Sequence, residues 1–372
     1  MFTPLDQSFM RRALELAERG LYTAAPNPRV GAVLVKDGRT IGEGWHQVAG
    51  EAHAEVNAVR DAQAKGGADA ARGTTAYVTL EPCNHQGRTP PCADFLVQHG
   101  IARVVAAMED PNPKVAGSGF GRLRAAGIDV RVGLLAREAR ELNIGFVSRM
   151  TRGLPWVRLK VAASLDGKTA LANGQSQWIT GAEARKDGHA WRARSCAILS
   201  GIGTVLEDDP QLNVRDVATP RQPLKIIVDS ALKIPAHARV LSGGRVLIAC
   251  GVDDPAARRR LEDAAGASGA SLEFVCLPNA GGKVELPDLM RELGARQFNE
   301  VHVESGFKLN GSLLRERCVD EVLIYFAASI IGDSGQGMFN LPELTRLEDR
   351  QRLKLHQVTQ LGDDLRLIAR IH

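Results

Sequence analysis

The sequence predicts an α/β protein made of two consecutive domains. The first observation is the length, since 372 residues are enough for two domains of ordinary size. The second is that short apolar strands alternate with helical stretches in both halves of the chain. The third is a new strand that starts near Trp156 without a low-complexity linker before it. We therefore expect one domain over residues 1–150 and a second over residues 151–372.

Composition indicates a soluble globular protein. Hydrophobic residues make up 44% and charged residues 24% of the chain, and the net charge of +4 is too small to indicate nucleic-acid binding. Residues 1–6 carry no signal-peptide pattern, and the longest apolar run, 322–331, is shorter than the ~20 residues that span a membrane. Six cysteines do not make a disulfide scaffold in a chain of this length. These features predict a protein of the reducing cytoplasm.

A helix and a proline-bounded loop open the first half. Good helix formers occupy residues 9–17, with apolar side chains at three- and four-residue steps. Two prolines then flank Asn27 and would hold its side chain in place. This loop is either a turn before the strand 30–35 or a substrate contact. A hairpin turn at 37–38 precedes His46, which is a weaker candidate for a substrate contact.

The most specific pattern of the chain combines one histidine, one glutamate and two cysteines. Residues 51–59 predict a helix that contains His53 and Glu55, while Cys83 follows a predicted strand and Cys92 lies eight intervening residues further on. Imidazole and thiolate are ligands that zinc prefers, and three protein ligands leave a fourth position for water, as in catalytic sites. Zinc lowers the pKa of that water from roughly 16 to about 7.

Glu55 is placed to move protons without binding the metal. The pattern H-x-E followed by P-C and a second Cys is the signature of zinc deaminases, which attack an amino-bearing carbon of a nucleobase-like ring. A core histidine and two buried thiols would be the simpler interpretation of each residue viewed alone. Their joint occurrence favours the catalytic zinc site.

The rest of the first half continues the alternation of strands and helices. A helix at 93–99 is followed by strands at 104–107 and 129–132. The Pro- and Gly-rich loop 110–119 lies between those strands. It is either a simple connection or a phosphate site, with Lys114 and exposed backbone N–H groups as donors.

The second half begins with a strand at Trp156 that ends in an Asp-Gly turn. A helix follows at 183–194, and the strand 197–200 runs into the G-x-G segment 201–203. Such a segment is weak evidence for a nucleotide phosphate site, since a helix starting near Thr204 would offer free N–H groups, and a plain strand-to-helix turn explains it equally well. Further strands are expected at 224–229, 245–250, 300–303 and 320–331, with a final strand pair from residue 353.

Three motifs of the first half resemble the deaminases of riboflavin biosynthesis. They are P-N-P-R-V-G at 26–31, the segment 81–92 with its long insertion before T-P-P-C, and D-P-N-P at 110–113. The general deaminase pattern has two residues between the cysteines, and this branch has the longer spacing seen here. The resemblance implies a three-layer fold of the cytidine-deaminase type. It also implies that the zinc ligands are His53, Cys83 and Cys92, that Glu55 is catalytic, and that Asn27, with His85 as a weaker candidate, contacts the substrate.

Four motifs of the second half are similar to the pyrimidine reductases of riboflavin biosynthesis, which have a dihydrofolate-reductase-like α/β fold and use NADPH. They are K-x-A-x-S-L-D-G-K at 160–168, S-x-W-I-T at 176–180, T-V-L-x-D-D-P-x-L-x-V-R at 204–215 and V-E-S-G-x-x-L-N-G at 303–311. The resemblance implies NADPH contacts from Ala162, Trp178, Thr204, Asp208, Ser230 and a phosphate loop of Gly306, Phe307, Lys308, Leu309, Asn310, Gly311 and Ser312. It implies that the pyrimidine ribose phosphate is bound by Ser176, Arg192, Leu212, Arg215 and Glu304, with Lys160 and Asp166 nearby.

Taken together, the two halves resemble the bifunctional deaminase-reductases of riboflavin biosynthesis. The resemblance implies that zinc-bound hydroxide deaminates 2,5-diamino-6-ribosylamino-4(3H)-pyrimidinone 5′-phosphate to 5-amino-6-(5-phosphoribosylamino)uracil. NADPH would then reduce the ribosyl chain to ribityl. Expected partners are the small-molecule substrate, Zn²⁺, NADPH and further copies of the chain in a homodimer or homotetramer, without nucleic acid or membrane.

Two alternatives from other classes remain open at this point. A nucleic-acid base deaminase with an unrelated appended domain would need a basic, aromatic-rich groove, which 5% aromatic residues and a net charge of +4 disfavour. A zinc-stabilised scaffold protein would need neither Glu55 beside the ligands nor the reductase motifs. Such a scaffold would unfold when zinc is removed, and it would have no catalytic activity before or after zinc removal.

Overall fold

The computed structural model describes residues 2–84, 91–113 and 115–371. The chain divides into two compact units, Met1–Gly153 and Leu154–His372. Within the described residues, no helix is both long and apolar enough to cross a membrane. Residue 150, where the sequence places the domain boundary, lies inside the last helix of the first unit.

The first unit is built on one five-stranded sheet. In chain order its elements are α1 (Pro4–Glu18), β1 (Gly31–Lys36), β2 (Arg39–Trp45), α2 (Ala54–Gly66), β3 (Thr75–Val78), α3 (Cys92–Gln98), β4 (Arg103–Ala106), α4 (Ser118–Ala125), β5 (Asp129–Val132), α5 (Ala136–Leu142) and α6 (Ile144–Arg152). The strand order is β2-β1-β3-β4-β5, where β1 is antiparallel to β2 and β3, and β3, β4 and β5 are parallel. The two connections that leave β3 and β4 therefore start at the same edge of the sheet.

Helices α1 and α2 pack on opposite faces of this sheet. A Cβ at Gly31 would overlap the backbone of α1 at Ala13, and a Cβ at Gly44 would overlap the backbone of α2 at Ala54. Gly44 pairs with Ala32, the neighbour of Gly31 on β1, and successive strand residues point to opposite faces. Glycine at both positions lets the two helices approach the sheet closely. The result is the layer order helix, sheet, helix.

Helix α1 starts earlier than the expected residue 9 because a capping box precedes it. The Thr3 hydroxyl accepts from the backbone N–H of Asp6 at 3.0 Å, and the Asp6 carboxylate accepts from the backbone N–H of Thr3 at 2.8 Å. The second Asp6 oxygen accepts from the Tyr77 hydroxyl on β3 at 2.6 Å. The cap thus fixes α1 to the sheet as well as starting the helix.

Two further helix boundaries differ from the expectation. Helix α2 begins at Ala54 rather than at residue 51, since His53 has extended backbone angles and occupies the N-cap position. Helix α6 was not expected at all. It forms because Ile144, Phe146 and Val147 become buried in the first unit, which compensates for the poor helix propensity of Gly145.

The second unit contains a nine-stranded sheet. Its elements are β6 (Trp156–Ser164), β7 (Lys168–Ala170), α7 (Ala182–Arg194), β8 (Ala197–Gly201), α8 (Ile202–Asp208), β9 (Leu224–Val228), β10 (Gly244–Cys250), α9 (Pro255–Ala267), β11 (Ala270–Cys276), α10 (Leu286–Ala295), β12 (Glu300–Glu304), α11 (Phe307–Arg315), β13 (Glu321–Ala327), β14 (Gln336–Gly337), β15 (Leu353–Leu361) and β16 (Asp364–Ile371). The order is β11-β10-β9-β8-β12-β6-β13-β16-β15. All neighbours are parallel except the last two pairs, and β7 and β14 form a separate ribbon.

A buried ion network joins three adjacent strands inside this sheet, β12, β6 and β13. Arg158 on β6 is fully buried and donates to Glu321 on β13 at 2.6 Å and to Glu300 on β12 at 3.2 Å. Arg194 also donates to Glu300, at 2.6 Å, and Arg370 donates to Glu321 at 3.2 Å. Each buried carboxylate therefore has two cationic partners, which offsets the free energy lost when these charges leave water.

The expected phosphate loop 306–312 is largely helical. Residues 307–315 form α11, with Gly306 as its N-cap. A Cβ at Gly311 would overlap the backbone of Asn340, and the Asn310 amide donates to the carbonyl of Met338 at 3.2 Å. Packing against segment 338–340 therefore explains a helix at a position where glycine and asparagine favour a loop.

Candidate functional site

The three expected metal ligands meet in the first unit, although they come from three different elements. His53 caps α2, Cys83 follows β3, and Cys92 is the first residue of α3. The Nδ1 atom of His53 lies 3.2 Å from Sγ of Cys92 and 3.6 Å from Sγ of Cys83, and the three ligand atoms lie within 4.8 Å of one another. Tetrahedral zinc bound by sulfur and imidazole nitrogen would place such atoms about 3.6 Å apart. The donor set and its spacing fit Zn²⁺.

The two thiols differ in how readily they lose a proton, since a hydrogen bond to Cys83 and burial raise the pKa of Cys92 well above its ordinary value. A hydrogen bond from Cys92 and then one from His53 hold the pKa of Cys83 well below its ordinary value, although burial opposes this. The backbone N–H of Cys92 also donates to Sγ of Cys83 at 3.4 Å. The thiolate is the form that binds zinc, so these contacts favour the ligating state of Cys83.

Glu55 lies one residue inside α2 and is 4% exposed. Burial raises its pKa to about 7, while the positive charge of His53 opposes that rise. A carboxyl group with a pKa near neutrality can both accept and donate a proton at physiological pH. A bound dication would lower this pKa and favour the proton-accepting form.

Asn27 and His46 lie beside the metal ligands. The Asn27 amide nitrogen is 3.1 Å from Nε2 of His46, and Nδ1 of His46 is 3.2 Å from the carbonyl oxygen of Ala52. The two rings of His46 and His53 are perpendicular, with centroids 5.3 Å apart. Because the Asn27 amide donates to Nε2, the proton of the neutral His46 ring lies on Nδ1. Burial lowers the pKa of His46 and so favours this neutral form. The sequence predicts His46 only as a possible substrate contact, since a structural histidine explains that position as well.

The loop expected to bind phosphate does not offer free backbone donors in its described residues. The buried carboxylate of Glu81 accepts from the N–H groups of Asp110, Gly117, Gly119 and Phe120. The remaining N–H groups bond within the loop: Asn112 to the Asp110 carboxylate, Val115 and Ala116 to the Asn112 carbonyl, and Ser118 to the Val115 carbonyl. The expectation of a backbone phosphate site is therefore wrong for this part of the loop. Two other candidates, His85 and Lys114, lie outside the described residues.

The second unit brings several expected cofactor residues together at the carboxyl edge of its sheet. Strands β9, β8 and β12 are adjacent and parallel, so Ser230, Thr204 and Gly306 all follow strand ends at that edge. The Thr204 hydroxyl accepts from the backbone N–H of Gly306 at 3.0 Å. The first N–H groups of α11, at residues 307–309, lack intrahelical acceptors and suit a phosphate. Asn310 and Gly311, in contrast, pack against segment 338–340.

A charged cluster occupies the neighbouring strand ends. The Glu304 carboxylate accepts from Nε of Arg192 and, at 2.9 Å, from its Nη2, and it lies 4.0 Å from Nζ of Lys160. Burial alone would raise the pKa of Glu304, but the Arg192 charge holds it well below its ordinary value. Because Nη1 of Arg192 also donates to the Asn213 carbonyl at 2.9 Å, most of its guanidinium is engaged. Arg192 therefore pairs with Glu304 and Asn213, and its contact with the pyrimidine ribose phosphate stays a prediction.

Arg215 is the exposed arginine of this region. Its backbone N–H donates to Nδ1 of His189 at 3.3 Å, and its Nη1 donates to the Asn213 side chain at 2.6 Å. His189 is three residues before Arg192 on α7, so one helix orders both arginines. Sequence patterns gave no signal for His189, because its partners lie 26 residues away.

The other expected residues differ in accessibility. Trp178 is 70% exposed and stacks on the guanidinium of Arg185, 4.7 Å from the ring centroid. Leu212 is buried in the apolar core, so only its backbone is left to meet a small molecule. Burial raises the pKa of Asp208, the last residue of α8. Ala162 and Ser176 are half-buried.

Comparison with known proteins covers both units. The model of the RibD C-terminal domain matches residues 155–367, and the model of the cytidine and deoxycytidylate deaminase zinc-binding region matches residues 3–108. Riboflavin biosynthesis protein RibD of Escherichia coli K12 is 45% identical over 97% of this chain and 98% of its own, and that of Haemophilus influenzae is 45% identical over 98% and 97%.

Two solved structures superpose over the whole chain. Acinetobacter baumannii RibD, form 1, has a TM-score of 0.88 at 41% identity and covers 99% of both chains. The Thermotoga maritima diaminohydroxyphosphoribosylaminopyrimidine deaminase/5-amino-6-(5-phosphoribosylamino)uracil reductase has a TM-score of 0.86 at 34% identity, again over 99% of both chains. These matches confirm the fold class expected for each half.

Proposed function

The chain belongs to the RibD family of riboflavin biosynthesis proteins, and from this premise we propose which residues carry its two reactions. It is a bifunctional enzyme that uses Zn²⁺ for deamination and NADPH for reduction. Residues 1–150 deaminate 2,5-diamino-6-ribosylamino-4(3H)-pyrimidinone 5′-phosphate in this proposed scheme. Residues 151–372 reduce the resulting 5-amino-6-(5-phosphoribosylamino)uracil.

The observation that carries the deaminase assignment is the meeting of His53, Cys83 and Cys92 beside the buried Glu55. These three side chains would hold Zn²⁺, which would supply a water nucleophile at neutral pH. Glu55 takes a proton from that water and delivers it to the departing amino group, so that water and the aminopyrimidine become the carbonyl compound and ammonia. Asn27, held by His46, orients the pyrimidine ring by hydrogen bonds to its edge.

The reductase assignment uses the carboxyl edge of the second sheet. NADPH supplies the hydride that reduces C1′ of the ring-opened ribosyl group. Thr204, Ser230 and the first turn of α11 hold the dinucleotide, with Ala162, Trp178 and Asp208 as further contacts. Glu304 binds sugar hydroxyls, while Lys160 polarises the imine nitrogen that receives a proton. Arg215 reaches the 5′-phosphate, and Ser176, Arg192 and the backbone of Leu212 complete the substrate site.

We also infer that the chain assembles with further copies of itself. Strand β15 is at the edge of the nine-stranded sheet and exposes Leu353, Leu355 and Val358. An exposed apolar edge strand is a template for pairing with another chain. The six cysteines are free thiols, which supports a cytoplasmic location, and the small net charge supports the absence of nucleic-acid partners.

The test follows ammonia release and NADPH oxidation together, with the diaminopyrimidine ribosyl phosphate as substrate. Wild type is expected to show both. Glu55→Ala is expected to show neither until it is given the deaminated compound, whereas Glu138→Ala, at an exposed residue of α5, behaves as wild type. Absence of ammonia release from zinc-loaded wild type would contradict the deaminase assignment. Ammonia release without NADPH oxidation would contradict the reductase assignment.

A further inference from the structure

Glu81 gathers four backbone N–H groups of one loop onto a single buried carboxylate. Oε2 accepts from Asp110 at 3.1 Å and from Gly117 at 3.0 Å. Oε1 accepts from Gly119 at 2.9 Å and from Phe120 at 3.2 Å. A carboxylate has about four lone-pair positions, so both oxygens are saturated. The donors lie 29 to 39 residues further along the chain, so the contact is a tertiary one.

The same loop is also held against the segments that carry both metal-binding cysteines. A Cβ at Gly119 would overlap the carbonyl oxygen of Pro82, the residue before Cys83. Helix α4, which continues the loop, is bound to the second cysteine segment, because Nε of Arg122 donates at 2.6 Å to Asp94, two residues after Cys92. The connections after β3 and β4 leave the same edge of the sheet, which is where ligands bind in sheets of this kind. The described residues of this loop, 110–113 and 115–120, therefore form one wall of the region around the metal ligands.

Glu81 occupies the position where an anionic ligand would otherwise bind. Gly119 and Phe120 belong to the first turn of α4, whose N–H groups and dipole attract negative charge. Because an internal carboxylate satisfies those groups, they are not available for the phosphate of a substrate. Their function is to attach the loop to the chain segment that ends in Cys83.

We propose that Glu81 is a positioning residue for deamination, which fixes loop 110–120 relative to Cys83 and so sets the width of the pyrimidine pocket. This inference rests on the proposed deaminase function of the first unit. Both carboxylate oxygens of Glu81 accept from backbone N–H groups of the loop, so Glu81 acts through the loop. Loss of the carboxylate leaves four N–H groups without their acceptor, and the loop moves away from the pocket to reach water.

The experiment measures steady-state deamination by Glu81→Ala, Glu81→Gln and Gly119→Ala, with zinc content and reductase activity as internal controls on the same chains. Glu81→Ala is expected to lower kcat/KM for deamination about 10- to 100-fold, mainly through KM, since small displacements of a binding wall have effects of this size. Zinc content and reduction of the deaminated compound stay at wild-type values. Glu81→Gln keeps one acceptor oxygen and is expected to lie between Glu81→Ala and wild type.

Gly119→Ala keeps the carboxylate but forces the loop away from Pro82, so it is expected to reproduce the KM effect even where Glu81→Ala folds poorly. Hydrogen exchange of the Gly117 and Phe120 amides is expected to accelerate in Glu81→Ala. Unchanged kcat and KM in both Glu81→Ala and Gly119→Ala, with wild-type zinc content, would overturn the proposal. Loss of deamination in strict proportion to loss of zinc would also overturn it, because Glu81 would then serve only the metal site. Failure of zinc-loaded wild type to release ammonia would count against the deaminase function instead.

Discussion

The carboxylate of Glu304 lies between two cationic groups, the guanidinium of Arg192 and the ammonium of Lys160, which is 4.0 Å away. The three side chains come from β12, α7 and β6. Burial lowers the pKa of Lys160, whereas the Glu304 charge raises it. The protonation state of Lys160 therefore depends on Glu304.

We expect Glu304→Gln to shift the alkaline limb of the reductase pH profile. If reduction needs protonated Lys160, activity falls as pH rises through the pKa of Lys160. Removing the neighbouring negative charge lowers that pKa further, so the fall in activity moves to lower pH. The measurement is kcat against pH with the deaminated compound and saturating NADPH. If kcat falls at the same alkaline pH in Glu304→Gln and in wild type, a group other than Lys160 causes that fall. Lys160→Met is the reference variant, because it lacks the ammonium group.

Removal of zinc is expected to abolish deamination and leave reduction intact. All three ligands lie in the unit Met1–Gly153, and the residues assigned to NADPH lie in the unit Leu154–His372. Dialysis against a chelator, followed by metal analysis and both assays, measures this. Cys83→Ser should lose zinc in the same way, while Cys276→Ser, at a cysteine outside the ligand group, should keep it. Parallel loss of both activities would mean that zinc stabilises the whole chain.

Arg158→Ala is expected to destabilise the second unit by about 3–5 kcal/mol, because truncating one partner of a buried ion network leaves its carboxylates incompletely paired. The matched control is Arg245→Ala. Arg245 forms an exposed ion pair with Glu273 at 3.3 Å, which should contribute about 0–1 kcal/mol. Urea unfolding of the two variants gives the comparison. Equal urea midpoints for the two variants would show that the buried network contributes no more to stability than an exposed ion pair.

Much of the first site could be predicted from the sequence, because its evidence is local. The pattern His53-x-Glu55 is contained in one short stretch, and the two prolines around Asn27 drew attention to that side chain. Glu81, in contrast, has partners up to 39 residues away, and Arg192 and Glu304 are 112 residues apart. No periodicity or spacing rule reports such pairs. The sequence predicts a loop at 306–312 because Asn310 and Gly311 disfavour a helix, whereas α11 is stabilised by packing against segment 338–340, which is distant in sequence.

Tyr77→Phe is expected to lower the free energy of unfolding of the first unit. It is also expected to make that free energy depend less on pH between pH 7 and pH 3. Burial would raise the pKa of Asp6, but hydrogen bonds from Tyr77 and Thr3 lower it below the ordinary 3.8. A lowered carboxyl pKa contributes stability that is present above pH 3.8 and is lost as pH falls through the folded-state value. Loss of the Tyr77 bond should cost about 1.5–3 kcal/mol at pH 7 and less at pH 3.

Urea unfolding of Tyr77→Phe at the two pH values is the measurement. Asp69→Asn, at an exposed carboxylate of the same unit, is expected to unfold as wild type does at both. If Tyr77→Phe lowers the free energy of unfolding equally at pH 7 and pH 3, the Tyr77 hydroxyl does not act through ionised Asp6.

The position of β6 at the centre of the second sheet has a consequence during synthesis on the ribosome. Arg158, on the first strand of that unit to be made, finds its partners 142 and 163 residues later, on β12 and β13. The first unit consists of one continuous stretch and can fold as soon as it leaves the ribosomal tunnel. The second unit must wait until nearly all of it has been translated. During that interval its apolar strands are exposed, so the nascent second unit is the part of this protein that most needs chaperones.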